Sequence, residues 1–128
     1  MILDTSAIVA LLLQEPTFEK LLVKVAAAKS PGVGIPTLTE TAIVLSARLQ
    51  RDARAIVSRF LLEGSILTVP FGEVHYGTAV QAWLRYGKGR HPASLNFGDC
   101  LAYATAKVAD QPLLCTGDEF ALTDLRLA

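Results

Sequence analysis

Met1-Ile2-Leu3-Asp4-Thr5-Ser6-Ala7 opens the chain with a short apolar run that ends in a carboxylate. Met1 to Leu3 reads as a strand, and three further short β-type runs follow: Gly34-Ile35, Ile66-Leu67-Thr68-Val69 and Pro112-Leu113-Leu114-Cys115. These runs are apolar without alternation, the pattern of strands buried on both faces. Between them lie helical stretches at Ser6 to Leu13, Thr17 to Ala28, Thr37 to Leu49, Asp52 to Glu63, Gly72 to Tyr86 and Phe97 to Ala109. In the third, Leu38, Ala42, Leu45 and Leu49 recur at spacings of four and three, which places them on one helix face. Strands alternating with helices predict an α/β fold: three layers, α/β/α, around a short, mainly parallel central sheet of four to five strands.

Helix starts are marked. Thr37-x-x-Glu40 has the form of a capping box, and Asn96 followed three residues later by Asp99 puts an acid in the first turn of its helix. Pro70 and Pro92 interrupt the pattern where loops are expected, and Arg85-Tyr86-Gly87-Lys88-Gly89-Arg90-His91 is a basic loop punctuated by glycine. With 128 residues, no linker-like composition and no repeat, residues 1–128 read as one domain.

The hydrophobic fraction is 52% and the mean hydropathy +0.40, more apolar side chain than one small core needs. Part of it, including the nearly all-apolar Ala7 to Leu13, is expected to face a partner, which predicts a homodimer. Twelve basic and twelve acidic residues balance to zero net charge, so any nucleic-acid footprint has to be local. An acid at the fourth residue, and an apolar run that ends at Gln14-Glu15-Pro16, match neither a secretory signal nor a membrane span. Cys100 and Cys115 lack zinc-site spacing and are too few for a disulfide framework, so they read as buried thiols in a reducing cytoplasm.

The acids carry the chemistry. Asp4, Glu40 and Asp99 are spread along a chain that is only 19% charged, and Asp118 follows the fourth strand in Cys115-Thr116-Gly117-Asp118-Glu119-Phe120. Taken singly, each also reads as helix-end chemistry: Asp4 as an N-cap, Glu40 as half of a capping box, Asp99 as a first-turn acid, worth on the order of 1 kcal/mol each. Topology adds a second reading. Asp4, Glu40 and Asp118 follow the carboxyl ends of predicted parallel strands, and the helix bearing Asp99 starts on that same edge, where open α/β sheets form their ligand crevice. Carboxylates gathered without histidine or thiolate suit a hard cation such as Mg²⁺ or Mn²⁺.

Asp4-Thr5-Ser6-Ala7 after an opening strand, a helix bearing Thr39-Glu40, the helix start Asn96-x-x-Asp99-Cys100 and the late Leu113-Leu114-x-Thr116-Gly117-Asp118 together resemble the PIN domain, specifically the VapC toxins of bacterial and archaeal toxin–antitoxin pairs. The resemblance covers essentially the whole chain. It implies a Mg²⁺-dependent endoribonuclease that cuts structured RNA, inhibits translation and is neutralised by a cognate VapB-type antitoxin, with a homodimer assembling into a heterotetramer or larger. Asp4, Glu40 and Asp99 would hold Mg²⁺, which Mn²⁺ could replace, and Asp118 would be the fourth acid, with Glu119 adjacent to it. Thr5 or Ser6, Asn96 and Thr116 would support the ligands or position substrate.

Among basic residues, Arg48, Arg51, Arg54 and Arg59 read as a solvated face, and Lys88 and Arg90 in the glycine-rich loop are the better candidates for RNA phosphates. His75 and His91 read as ordinary loop histidines, and Trp83 and Tyr86 as packing residues. A receiver-type phospho-acceptor switch is disfavoured, since Pro70-Phe71 follows Val69 and Thr116-Gly117 follows Cys115 where its acceptor Asp and its Lys belong. An Asp-x-Asp phosphohydrolase would need an acid where Ser6 stands, and Gly32-Val33-Gly34 lacks the wider pattern of a phosphate loop. The remaining alternative is a noncatalytic interaction module with the same fold.

Overall fold

The sheet is organised around the first residues of the chain. A computed structural model describes all 128 residues, in the order β1 (Ile2–Leu3), α1 (Thr5–Leu12), α2 (Phe18–Ala27), β2 (Gly32–Gly34), α3 (Ile35–Leu49), α4 (Arg54–Glu63), β3 (Leu67–Val69), α5 (Glu73–Tyr86), α6 (Phe97–Ala109) and β4 (Leu113–Leu114). A 3₁₀ turn at Phe120–Leu122 follows. The strands lie in the order β3-β2-β1-β4 and every pairing is parallel. Ile2 stands opposite Gly32 and Leu113, and Leu3 opposite Leu114. A further parallel bridge between Leu113 and Leu127 adds a fifth, minimal strand outside β4.

Such short strands suffice because each residue of the two inner ones is buried on its own face. Ile2 and Leu113 point into a core with Ala79 and Ala82 of α5 and Ala102, Tyr103 and Ala106 of α6. Leu3, Val33 and Leu114 point the other way, into Ala7, Ile8 and Ala10 of α1 and Leu21 and Val25 of α2. This is the period-two alternation of side chains across a pleated strand, with both faces covered. A smaller cluster joins Val9 of α1 to Leu45 of α3 and to Ala53 and Val57 at α4. The result is the expected three-layer α/β/α arrangement.

Several boundaries differ from the sequence reading, each for a physical reason. The second strand is Gly32–Gly34 rather than Gly34-Ile35, and α3 begins at Ile35 directly after it. Pro36 in the first turn explains the early start: its fixed φ suits a helix, and its missing N–H would have no intrahelical partner there. The capping box expected at Thr37-x-x-Glu40 therefore does not form. Gly34 is the N-cap, Thr37 is buried within the first turn, and Glu40 lies beyond it. The third strand is an edge strand rather than a buried one, and Leu67 is 59% exposed. Within the segment Ala7 to Leu13, Ala7, Ile8, Val9 and Ala10 are buried inside this chain, and only Leu11, Leu12 and Leu13 are partly exposed. Exposed apolar side chains are instead spread over other helices: Val23 on α2, Ile43 on α3, Leu62 on α4, Val74, Tyr76 and Leu84 on α5, and Phe97 on α6.

The tightest crossing brings α6 against the junction of β2 and α3. A Cβ placed on Gly34 would stand 2.6 Å from Oγ1 of Thr105, a fully buried, β-branched residue whose hydroxyl donates to the Leu101 carbonyl at 2.9 Å. Thr105 has no room to yield. Gly34→Ala is expected to lower stability by about 1–3 kcal/mol through overpacking, read as a drop in the urea midpoint at unchanged m. Adding Thr105→Ala should recover part of the loss. A midpoint at or above that of the wild type would contradict the crossing as described.

Candidate functional site

Asp4 leaves β1 as the N-cap of α1, in extended backbone conformation. Its Oδ2 accepts two hydrogen bonds from Ser6, one from the backbone N–H at 3.1 Å and one from Oγ at 2.6 Å. Ser6 Oγ in turn accepts the N–H of Thr116 at 3.0 Å, just past the end of β4. One hydroxyl thus spans the carboxyl ends of β1 and β4. These are the neighbours at which the strand order reverses, the place where open parallel sheets form a crevice.

Glu40 arrives from α3. Thr5 Oγ1 donates to its Oε1 at 2.5 Å, and Thr41 Oγ1 lies 3.2 Å from the same Thr5 oxygen while donating to the Thr37 carbonyl at 2.8 Å. Because α3 starts early, no backbone N–H at its start engages Glu40, and the carboxylate is directed across the crevice to α1. Asp99 is fixed by a different device. Asn96 Oδ1 accepts the Asp99 N–H at 2.9 Å, and Asp99 Oδ2 accepts the Asn96 N–H at 3.0 Å, a reciprocal cap on α6.

Asp4, Thr5, Ser6, Glu40, Asn96, Asp99 and Thr116 line one cleft of about 320 Å³, together with Glu15 and Arg48 at its rim. Asp4 is only 6% exposed. Burial pushes its carboxyl above the usual range, the charge of Glu40 adds to this, and the Ser6 hydrogen bonds offset part of it. Asp99 is pushed up to about 6 by burial, opposed by its bond to the Asn96 N–H and reinforced by the charges of Asp4, Glu119 and Glu40. The nearby thiols feel the same field: Cys115 and Cys100 are each raised to about 11, first by burial and then by charge, that of Asp4, Glu119 and Asp99 on Cys115 and that of Asp99 on Cys100.

No basic side chain relieves this repulsion. Arg48, the one such residue lining the cleft, is drawn to Glu15 at 3.4 Å, and the other ion pairs also leave Asp4, Glu40 and Asp99 alone. The three carboxylates do not close into a ready-made three-ligand cage. An open set of hard oxygen donors fits Mg²⁺, which keeps several waters and binds through one or two carboxylates at a time.

The remaining candidates fall around this cleft. Asp118 and Glu119 are both exposed and outside its lining, although the charge of Glu119 reaches Asp99 and Cys115. Gly117, at φ +83°, makes the turn that separates these two acids from β4. Lys88 and Arg90 do not line the cleft. Lys88 pairs its backbone N–H with the Leu95 carbonyl, one residue before Asn96, and the Arg90 guanidinium stacks over Trp83 at 4.9 Å and donates to the Leu84 carbonyl. Arg54 and Arg59 are taken up in surface pairs with Asp52 and Glu63. Tyr86 is a core residue, His75 accepts the Gly72 N–H, and His91 accepts the Ala93 N–H. The sequence reading overlooked Glu15 at the rim, and nothing in Gln14-Glu15-Pro16 signals it.

The raised Asp99 pKa has a defined effect on stability. Between the ordinary value of 3.8 and about 6, the folded state holds a proton that the unfolded chain has released, so stability falls as pH rises and the contribution is gone above about 6. Asp99 is partly exposed, and solvent screening reduces the effect to about 1 kcal/mol. Asp4 acts in the same direction. Asp99→Asn should flatten this slope without abolishing it, as measured by urea midpoints from pH 4 to 7 in the presence of a chelator. Parallel curves for the two proteins would contradict the coupling.

The sequence model of the PIN domain matches residues 1–124. Ribonuclease VapC36 of Mycobacterium tuberculosis is 47% identical over 98% of this chain and 91% of its own length. Ribonuclease VapC of Mycolicibacterium smegmatis is 42% identical over 98% of this chain and 97% of its own. Among solved structures, M. tuberculosis VapC20, described as a sarcin–ricin loop cleaving toxin, superposes with a TM-score of 0.72 at 17% identity, covering 98% of each chain. A toxin–antitoxin complex from Klebsiella pneumoniae gives 0.73 at 16% identity, covering 99% of this chain and 95% of that one. With both the family sequence and the fold matched over nearly the full length, the chain belongs to the PIN domain family and, within it, to the VapC group.

Proposed function

We propose that this protein is an endoribonuclease toxin that hydrolyses RNA phosphodiester bonds with Mg²⁺, or Mn²⁺ in its place, held by Asp4, Glu40 and Asp99. The observation that carries this reading is the convergence of those three carboxylates on one cleft at the carboxyl edge of the sheet, without a basic side chain to pair with them. A cation there would lower the pKa of a bound water and offset the charge that builds on the equatorial and leaving oxygens of the phosphodiester. The protein's own part is placement. Ser6 holds Asp4, Thr5 holds Glu40 and Asn96 holds Asp99, so each acid is fixed by a hydrogen-bonding partner on or beside a regular element. Asp118, or Glu119 beside it, would be the fourth acid, and the charge of Glu119 is the one felt by Asp99.

The names of the relatives supply the substrate class. VapC36 and the M. smegmatis protein are called ribonucleases, VapC20 is called a toxin that cleaves the sarcin–ricin loop, and the Klebsiella structure is a toxin–antitoxin complex. By extension this chain inhibits translation in the cytoplasm by cutting RNA, and a cognate VapB-type antitoxin neutralises it. Exposed apolar surface offers room for partners: Tyr76, Val80, Trp83 and Phe97 border a groove of about 540 Å³ between α5 and α6. A homodimer, and a heterotetramer or larger with antitoxin, would cover such surface.

Asp99→Asn keeps an acceptor for the Asn96 N–H and removes the charge. The variant is expected to fold, to lose RNA cleavage by about 100-fold or more and to lose growth inhibition when expressed without antitoxin. Mn²⁺ at a hundredfold excess over its dissociation constant should add about 2.7 kcal/mol to wild-type stability, several degrees in Tm for a chain of this size, and little to the variant. Equal metal-induced shifts in both proteins would place the cation elsewhere.

Lys88 and Arg90 are proposed to bind RNA phosphates outside the cleft. Lys88→Ala with Arg90→Ala should weaken RNA binding and leave Mn²⁺ affinity as it is. The log–log salt slope on single strands should fall by about 0.7 for each phosphate no longer neutralised. An unchanged slope would assign the loop to structure, the role that Arg90 already has over Trp83.

A further inference from the structure

Gly98 occupies the second position of α6, between Phe97 and Asp99. Its backbone is helical and its φ lies outside the left-handed region, so the conformation asks for no glycine. Intrinsic propensity would favour alanine there. The space around it decides otherwise. A Cβ on Gly98 would overlap Oε2 of Glu40 and stand 3.0 Å from its Cδ and 3.2 Å from its Oε1, with no other heavy atom nearer than these. The Glu40 carboxylate is therefore held from two sides. Thr5 binds Oε1 by hydrogen bond, and the bare face of α6 accommodates Oε2 at a distance that no other residue type would allow.

We propose that Gly98 is a positioning residue for Glu40: its missing side chain lets the carboxylate rest against the first turn of α6, and this sets the gap between Glu40 and Asp99. The proposal rests on the metal-site reading above. Its physical content is that the atom meeting the added Cβ is the far end of a flexible side chain rather than backbone. The clash is relieved by turning Glu40 away, so a substitution perturbs the site and not the fold. A glycine needed for packing or for backbone conformation would do the reverse, as Gly34 does against Thr105.

The test is a cycle of Gly98→Ala, Glu40→Ala and the double variant, each followed by Mn²⁺ titration, RNA cleavage and metal-free melting, with a crystal structure of metal-free Gly98→Ala. The alanine variant is expected to melt, without metal, at or above the wild-type temperature, and to show Glu40 displaced with its Thr5 hydrogen bond broken. Mn²⁺ affinity should fall about tenfold or more and cleavage on the order of 100-fold, the scale of a 1 Å misplacement. In the Glu40→Ala background the same substitution should change neither Mn²⁺ affinity nor cleavage, since no carboxylate remains to be moved. Glu40 unmoved in the crystal with wild-type Mn²⁺ affinity would overturn the proposal, as would an equal loss from Gly98→Ala with and without Glu40. A folding defect that persists in the double variant would make the glycine a packing residue and overturn it also, whereas a defect cured by Glu40→Ala would support the clash. If Glu40→Ala alone leaves Mn²⁺ affinity and cleavage at wild-type levels, the metal-site reading falls at Glu40, and this proposal falls with it.

Discussion

Burying a carboxylate is the constraint around which this molecule is built. Asp4 is almost wholly withdrawn from water, which is costly for an ionised group unless hydrogen bonds or a counter-charge compensate. The fold supplies only part of that compensation. Ser6 provides two donors on a single oxygen, and the backbone supplies the rest of the frame by ending β1, starting α1 and tying both to the end of β4. No basic side chain completes the compensation. The neighbours are instead further acids, and each makes the others harder to ionise. A structural capping residue gains nothing from such company. A bound cation, as proposed above, would supply the missing counter-charge.

The layers were legible in the first residues because both neighbours of β1 are parallel strands with helices on either face. A strand in that position has no polar face to show, and the uninterrupted Ile2-Leu3 says so. Helices α5 and α6 were equally plain, and the cap on α6 formed as its residues predict. What misled was local chemistry overridden by a neighbour. Thr37-x-x-Glu40 satisfies the pattern of a capping box, but Pro36 carries the helix start back to Ile35. The apolar Ala7 to Leu13 looked like surface awaiting a partner because hydropathy does not distinguish a helix buried on most sides from one half exposed in an interface.

The site was legible as a set of acids and illegible as a geometry. Asp4, Glu40 and Asp99 could be selected because their types and their places at element ends recur, but the partners that hold them come from distant parts of the chain: Thr116 to Ser6, and Thr5 to Glu40. Asp118 and Glu119 follow the turn at Gly117 and both lie outside the cleft lining, a placement that composition does not encode. The failed capping box and the acid-lined cleft have one origin. Glu40 can reach across to α1 because its own helix makes no use of it.

The crossing of α6 over the start of α3 bears on how durable the site is. Thr105 sits so near Gly34 that there is no space for a Cβ between them, so the approach of the helices bearing Glu40 and Asp99 is limited there by the size of atoms rather than by charge. Ionic strength and pH alter every electrostatic quantity in the cleft, yet an atomic radius is indifferent to both. That steric limit on the backbones carrying the two acids is the same whether the carboxylates are protonated, ionised or neutralised.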